Sequence, residues 1–76
     1  MNFSRFDIPK SVANLLKVAI DNNVIDALDV YALGVDYAGN WRDVAGALCE
    51  YSYCTNDQRI HSKVVQAAEE VWKTIK

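Results

Sequence analysis

Apolar side chains recur every three or four residues through most of this chain, which is the period of an amphipathic α-helix. The pattern predicts four helical segments separated by short polar or glycine-containing breaks. The first segment follows Asp7, carries Pro9 in its opening turn and ends near Asp21. A proline is tolerated there because its missing N–H has no partner in the first turn. The apolar stripe of this helix comprises Ile8, Val12, Leu15, Leu16, Ala19 and Ile20.

The second segment is apolar on nearly every face from Val24 to Leu33, and Asp26 and Asp29 are its interruptions. The Asp-Asn-Asn stretch before it is expected to end the first helix and cap this one, and Gly34 is expected to end it. Its Val and Tyr side chains also favour a strand. We prefer a helix because the two aspartates are three positions apart and therefore share a helix face. Its apolar character predicts a central position in the fold.

The third segment is predicted to begin at Asn40, a good helix cap, directly after a break at Gly39. Its apolar stripe comprises Trp41, Val44, Ala45, Leu48 and Tyr51. This stripe predicts that Trp41 belongs to the core. Gly46 lies inside the helix, where glycine costs about 1 kcal/mol relative to alanine. It either weakens the helix or marks a close approach between two helices.

The fourth segment is preceded by Thr55 and Gln58, which have the spacing of a capping box. One apolar stripe comprises Ile60, Val64, Ala67, Val71 and Ile75. A second stripe beside it comprises His61, Val65, Ala68 and Trp72. This wide apolar arc is either filled by the other helices or partly directed at a partner. The four segments together predict an all-α, four-helix single domain, a compact helical bundle that spans residues 1–76.

Chain length, net charge and the distribution of apolar residues exclude several classes of function. A chain of 76 residues buries only about 60% of its unfolded surface, so its large apolar residues are needed for the core. The net charge is −2 and basic residues are not clustered, so we expect no nucleic-acid binding. Neither a secretory signal nor an apolar run of about 20 residues is present, so we expect a cytoplasmic protein without membrane contact. In that compartment the cysteines are expected to stay reduced.

Three residues of types that carry chemistry occur close together in the sequence. Cys49, Cys54 and His61 are of the types that bind zinc, but their spacing matches no common zinc finger and a fourth ligand is missing. A cysteine nucleophile with His61 as base would need a pocket and an oxyanion hole, for which four short helices leave little room. The glycines form no phosphate-binding loop. We therefore expect no catalysis, no metal and no cofactor.

The region from Val24 to Glu50 has the order of a helix-turn-helix, in which the second helix enters the major groove. That helix exposes Arg42 beside Asp43 and Glu50, which is a poor set for a groove lined with phosphates. Its connection is also longer than the motif prefers. A nucleic-acid-binding regulator of this type is therefore our second hypothesis, and a small enzyme subunit is the third.

An acidic strip formed by Asp26, Asp29 and Asp36 lies beside apolar positions, which fits a binding surface with apolar contact and charge steering. The chain is therefore predicted to be a non-catalytic protein–protein interaction module, an inhibitor or adaptor of the size common among phage and mobile-element proteins. Association of two copies into a homodimer is a further possibility. Reversing the charge of the first two aspartates is expected to slow association without changing stability. The predicted partner-binding residues are Ile25, Asp26, Asp29, Val30, Leu33 and Tyr37, and the alternative surface is His61, Val65 and Trp72.

Overall fold

The computed structural model describes residues 8–37 and 39–75. Across these two ranges the chain forms four α-helices and no strand, which confirms the predicted all-α, four-helix fold. Asp7, which was predicted to precede the first helix, lies outside the described residues. The helices are α1 (Lys10–Asp21), α2 (Ala27–Asp36), α3 (Trp41–Tyr53) and α4 (Gln58–Thr74).

The longest helix, α4, occupies the centre of the molecule. It packs along both α1 and α3, whereas α2 contacts mainly α3 at the edge of the bundle. The prediction that α2 lies centrally is therefore wrong. The core includes Leu15 from α1, Leu48 from α3 and Val64 from α4, which are each fully buried. In the two described ranges, no helix is both long and apolar enough to cross a bilayer.

Both predicted boundaries of α2 differ from the structure. The Asp26 side chain caps the helix, so Val24 precedes it. The chain passes through Gly34 in the helix and continues to Asp36. Gly34 is buried on the core-facing side, and the glycine with a left-handed backbone is Gly39, at φ 76°. A glycine ends a helix when it takes that conformation, and Gly34 does not.

The start of α3 is as predicted. Asn40 caps the helix by accepting a hydrogen bond from the backbone N–H of Asp43. Trp41 begins the helix with only 6% of its surface exposed. Tyr51, at the far end of the predicted stripe, is instead 44% exposed. The buried members of the stripe are Trp41, Val44, Ala45 and Leu48.

A substitution at Gly46 tests the effect of helix propensity on stability without changing the packing. A Cβ atom built at Gly46 would meet no atom within 4 Å, so this glycine does not mark a close helix approach. We expect Gly46→Ala to raise the free energy of unfolding by about 1 kcal/mol, because alanine loses less backbone entropy in a helix. Urea denaturation followed by circular dichroism measures this change. An unchanged or lower midpoint would contradict the open environment of this position.

The cap of α4 differs from the predicted capping box. Asp57 accepts hydrogen bonds from the backbone N–H groups of Arg59 and Ile60. The Thr55 hydroxyl instead donates to the carbonyl of Ser52 and accepts from the N–H of Asp57. Thr55 therefore organises the turn between α3 and α4, and an aspartate two residues later starts the helix.

Candidate functional site

Helix α2 carries apolar side chains on two opposite sides. Val30 and Leu33 point into the core and are 1% and 6% exposed. On the opposite side, Leu28 is 81% exposed, Tyr31 53% and Val35 54%. Ala32 is also exposed between them. We call the set Leu28, Tyr31, Ala32 and Val35 the outer face of α2.

The spacing of the outer face explains why it forms one continuous strip. Tyr31, Ala32 and Val35 follow Leu28 at three, four and seven positions, and side chains at these intervals are neighbours on a helix. Single exposed apolar residues are common on protein surfaces, but adjacent large ones mark binding surfaces. The outer face is therefore the main exposed apolar feature of α2.

A shallow groove of about 240 Å³ lies beside the outer face, where α2 approaches the end of α3. Four of its five lining side chains are apolar or aromatic, and the fifth is a carboxylate. We call it the α2–α3 groove, and it is lined by Val24, Ile25, Asp29, Leu33 and Tyr51. Tyr51 extends the apolar surface from α2 onto α3.

The structure brings together three of the six predicted partner-binding residues, because Ile25, Asp29 and Leu33 line the α2–α3 groove. Ile25 and Leu33 form its floor, since each is less than a tenth exposed. Val30 lies in the core, where a partner could not reach it. Tyr37 is half-buried and packs against the core. The assignment of these residues to a partner stays a prediction.

Sequence reasoning missed the outer face itself. Leu28, Tyr31 and Val35 were not among the predicted contact residues, although the pattern contains the information to find them. Once Val30 and Leu33 are assigned to the core, Leu28 falls on the opposite side of a helix that turns by 100° per residue. The missing step was to choose which side of an all-apolar helix is buried.

Asp26, the sixth predicted residue, forms a structural element together with Asp29. One carboxylate oxygen of Asp26, Oδ1, accepts from the N–H groups of Leu28 at 3.0 Å and Asp29 at 3.1 Å. The Oδ2 atom of Asp29 accepts in return from the Asp26 N–H at 3.0 Å. This reciprocal capping box satisfies amides that have no partner within the helix. Reversing both charges would therefore lower stability, contrary to the sequence-based expectation.

The charged side chains of the segment that carries the outer face are all acidic. The segment 18–41 contains four aspartates and no lysine, arginine or histidine. Asp29 and Asp36 are both exposed and lie seven positions apart, so they flank the same side of the outer face. A partner therefore meets an apolar strip with an acidic rim along one side.

The alternative surface on α4 is less exposed. His61, Val65 and Trp72 are each half-buried. His61 instead borders a cavity of about 340 Å³ at the start of α4, which Tyr53, Asn56, Asp57 and Gln58 also line. The rings of Tyr53 and His61 meet edge to face with their centres 5.5 Å apart.

Ser52 and His61 form a close pair, but its geometry differs from that of a catalytic serine. The Ser52 Oγ lies 2.9 Å from His61 Nδ1, and it donates to the Cys49 carbonyl at 2.8 Å. Because a hydroxyl has one proton, Nδ1 of the histidine acts as the donor to Oγ. Ser52 is fully buried, so a substrate could not reach its hydroxyl. The pair joins α3 to α4.

The two cysteines are free thiols in different environments. Burial, with a smaller contribution from the negative charge of Glu69, raises the pKa of the Cys49 thiol. Cys54 is exposed at the end of α3. In residues 8–37 and 39–75, no three histidine, cysteine or acidic side chains lie close enough together to hold a metal ion.

We expect a thiol reagent such as Ellman's reagent to modify Cys54 well before Cys49. A raised pKa means that less of the Cys49 thiol is ionised at a given pH, and the thiolate is the reactive form. The Cys49 rate should therefore rise at a higher pH than that of an ordinary thiol. Cys49→Ser and Cys54→Ser, measured separately, assign the two phases. Faster reaction of Cys49 at neutral pH would contradict its buried environment.

Arg42, the cation that the helix-turn-helix hypothesis would aim at DNA, has a structural role. Its guanidinium donates to the carbonyls of Trp72 and Ile75 at the end of α4. The Trp72 indole N–H donates back to the Arg42 carbonyl at 3.1 Å. Carbonyls at a helix end have no partner within the helix, and a cation there is favourable. These bonds hold the start of α3 against the end of α4.

Comparisons with known proteins give no match: no protein-family model, no curated protein and no solved structure is similar to this chain.

Proposed function

We propose that this chain is a non-catalytic protein-binding domain that docks onto a larger protein through the outer face of α2. The observation that carries the proposal is the exposure of Leu28, Tyr31 and Val35 on one side of a helix whose other side is in the core. Such a partner would be inhibited by this domain or linked by it to another protein.

The position of α2 supports this proposal. It lies at the edge of the bundle and packs mainly on α3, so its outer face is accessible to a groove on another protein. Amphipathic helices bind such grooves through residues at three-, four- and seven-residue intervals, which is the spacing of the outer face. An exposed tyrosine is also one of the side chains that are enriched in the cores of interfaces.

The acidic rim supports a protein partner over a nucleic acid. Asp29 and Asp36 lie along one side of the outer face, and the nearest cation along α3, Arg42, holds the end of α4. A phosphate backbone would be repelled here, because binding to it depends on exposed Lys and Arg. Charges of one sign around an apolar strip instead increase the rate of encounter with a partner of opposite charge.

Site-specific photo-cross-linking in the source cell tests the proposal. A photo-reactive phenylalanine derivative is placed at position 28 in one variant and at position 62 in the control. Ser62 is exposed on α4, away from α2. We expect one discrete protein adduct from position 28 and none from position 62. Mass spectrometry identifies the adduct, and the purified partner is then tested for binding.

Three results would contradict the proposal. The first is the absence of any adduct from position 28, and the second is the formation of the same adducts from both positions. The third is a purified partner that binds a Leu28→Ser variant as tightly as it binds the unmodified protein. An exposed serine at this position changes the free energy of unfolding only slightly, since Leu28 makes little contact with the core. A loss of binding by this variant would therefore report on the interface and not on the fold.

A further inference from the structure

We infer that the α2–α3 groove receives an arginine side chain of the protein partner, placed beside the apolar contact made by the outer face. This inference rests on the proposed function, because the arginine comes from the docked protein. It assigns the groove a ligand of defined chemistry: an apolar stem that ends in a planar cation.

The lining of the groove matches the two parts of that side chain. Val24, Ile25 and Leu33 provide apolar walls and floor, and Asp29 provides one negative charge. An arginine buries its three methylene groups along apolar surface and keeps its guanidinium at the polar end. A purely apolar side chain would partly desolvate the Asp29 carboxylate, which accepts a hydrogen bond from the Asp26 N–H, without neutralising its charge, which is costly.

The carboxylate of Asp29 is held in place and still has capacity to bind. Its capping bond to the Asp26 N–H is made by Oδ2. A carboxylate has about four acceptor positions over its two oxygens, so a guanidinium can still donate to it. The capping bond restricts the rotamer of Asp29, which lowers the entropy lost when the arginine binds. The acidic segment 18–41 adds no competing cation.

Tyr51 favours arginine over lysine. Its ring lines the groove and is 44% exposed. A guanidinium is planar and stacks on an aromatic ring while it donates to a carboxylate, whereas an ammonium group is compact and strongly hydrated. The combination of Asp29 and Tyr51 therefore favours the planar cation.

Charge complementarity argues against a second copy of this chain as the occupant. A symmetric pair joined through α2 would place Asp26, Asp29 and Asp36 opposite the same residues, and like charges across an interface are unfavourable. The α2 helix of a second copy also contains no arginine to enter the groove. We therefore expect a partner whose docking surface is apolar with a basic edge.

The inference is tested with a small probe and does not require the partner. N-acetyl-arginine methylamide is titrated into the ¹⁵N-labelled protein at low salt, and the dissociation constant is obtained from backbone amide shifts. N-acetyl-citrulline methylamide, which has nearly the same shape without the charge, is the first control. N-acetyl-lysine methylamide, with a free side-chain amine, is the second. We expect saturable millimolar binding of the arginine probe, with the largest shifts at Asp29, Leu33 and Tyr51.

Matched variants locate the probe. Asp29→Asn keeps an oxygen that can accept the capping bond from Asp26, so the helix start is preserved, and we expect up to about fivefold weaker binding. The control is Asp36→Asn, which removes the same charge about 10 Å further along the helix. Tyr51→Leu should also weaken binding, whereas Tyr53→Leu, at an exposed tyrosine outside the groove, should not.

Four results would overturn the inference: no saturable shifts with the arginine probe, equal binding of the citrulline probe, equal binding of the lysine probe, or equal losses in Asp29→Asn and Asp36→Asn. Self-association that strengthens when salt screens the acidic rim would show that a second copy occupies this surface. Failure of the probe leaves the cross-linking result at position 28 unaffected. Failure of that cross-link, with the probe bound, would contradict the proposed function and the protein source of the arginine, and would leave only the affinity of the groove for a guanidinium.

Discussion

Replacing Trp41 by alanine is expected to remove about 3–5 kcal/mol from the free energy of unfolding, the usual cost of truncating a buried tryptophan. A domain of 76 residues has a total stability of about 4–11 kcal/mol. Trp41 is 6% exposed at the first position of α3 and belongs to the core. The variant should therefore lose a large part of its stability and unfold at a much lower urea concentration, which urea denaturation followed by circular dichroism measures.

The control for this prediction is Trp41→Phe, which keeps an aromatic ring at the site and should recover much of the lost stability. Partner binding should fail in Trp41→Ala together with the fold. If Trp41→Ala kept its unfolding midpoint and lost only partner binding, Trp41 would belong to a binding site and not to the core.

Two leucines of α2 are expected to respond in opposite ways to the same substitution. Leu33→Ala should cost about 2–5 kcal/mol of stability, because Leu33 is 6% exposed and truncation leaves a cavity. Leu28→Ala should change stability by no more than about 0.5 kcal/mol, because Leu28 is 81% exposed. Both variants introduce alanine into the same helix, so helix propensity is matched. Urea denaturation of the pair checks the difference.

Equal losses of stability in the two variants would contradict the separation of α2 into a core side and an outer face. Comparable m-values in both variants would show that the unfolded and native states expose similar surface, so that the difference in midpoint reports stability. Ala32, which is already alanine on the outer face, shows that the small side chain is compatible with this side of the helix.

Much of the fold could be predicted because local signals and the apolar period agree in three of the helices. The end of α1 at Asp21 and the Asn40 cap of α3 follow directly from the sequence, whereas α1 begins at Lys10 with Pro9 as its N-cap. In α2, the period contains little information because apolar residues occur on every side. The sequence predicts that Gly34 ends that helix, because an isolated glycine often ends one. The burial of its core-facing side instead keeps it helical.

The candidate site was harder to predict for a physical reason. A side chain that is apolar gives the same sequence signal whether it faces the core or a partner, and only packing distinguishes the two. The pattern therefore assigns Val30 to the partner although it is buried, and omits Leu28 although it is exposed. The position of Tyr51 beside α2 depends on how two helices meet, which the local pattern does not contain.

The most direct test of the account is the affinity of the purified partner for two variants, measured by calorimetry. One carries Leu28→Ala with Val35→Ala on the outer face of α2, and the other carries Val65→Ala on the alternative surface of α4. The account predicts at least about a hundredfold loss of affinity in the first variant, the size of effect seen at central interface residues, and little change in the second. Unchanged affinity in the first variant with a loss in the second would contradict it and place the interface on α4.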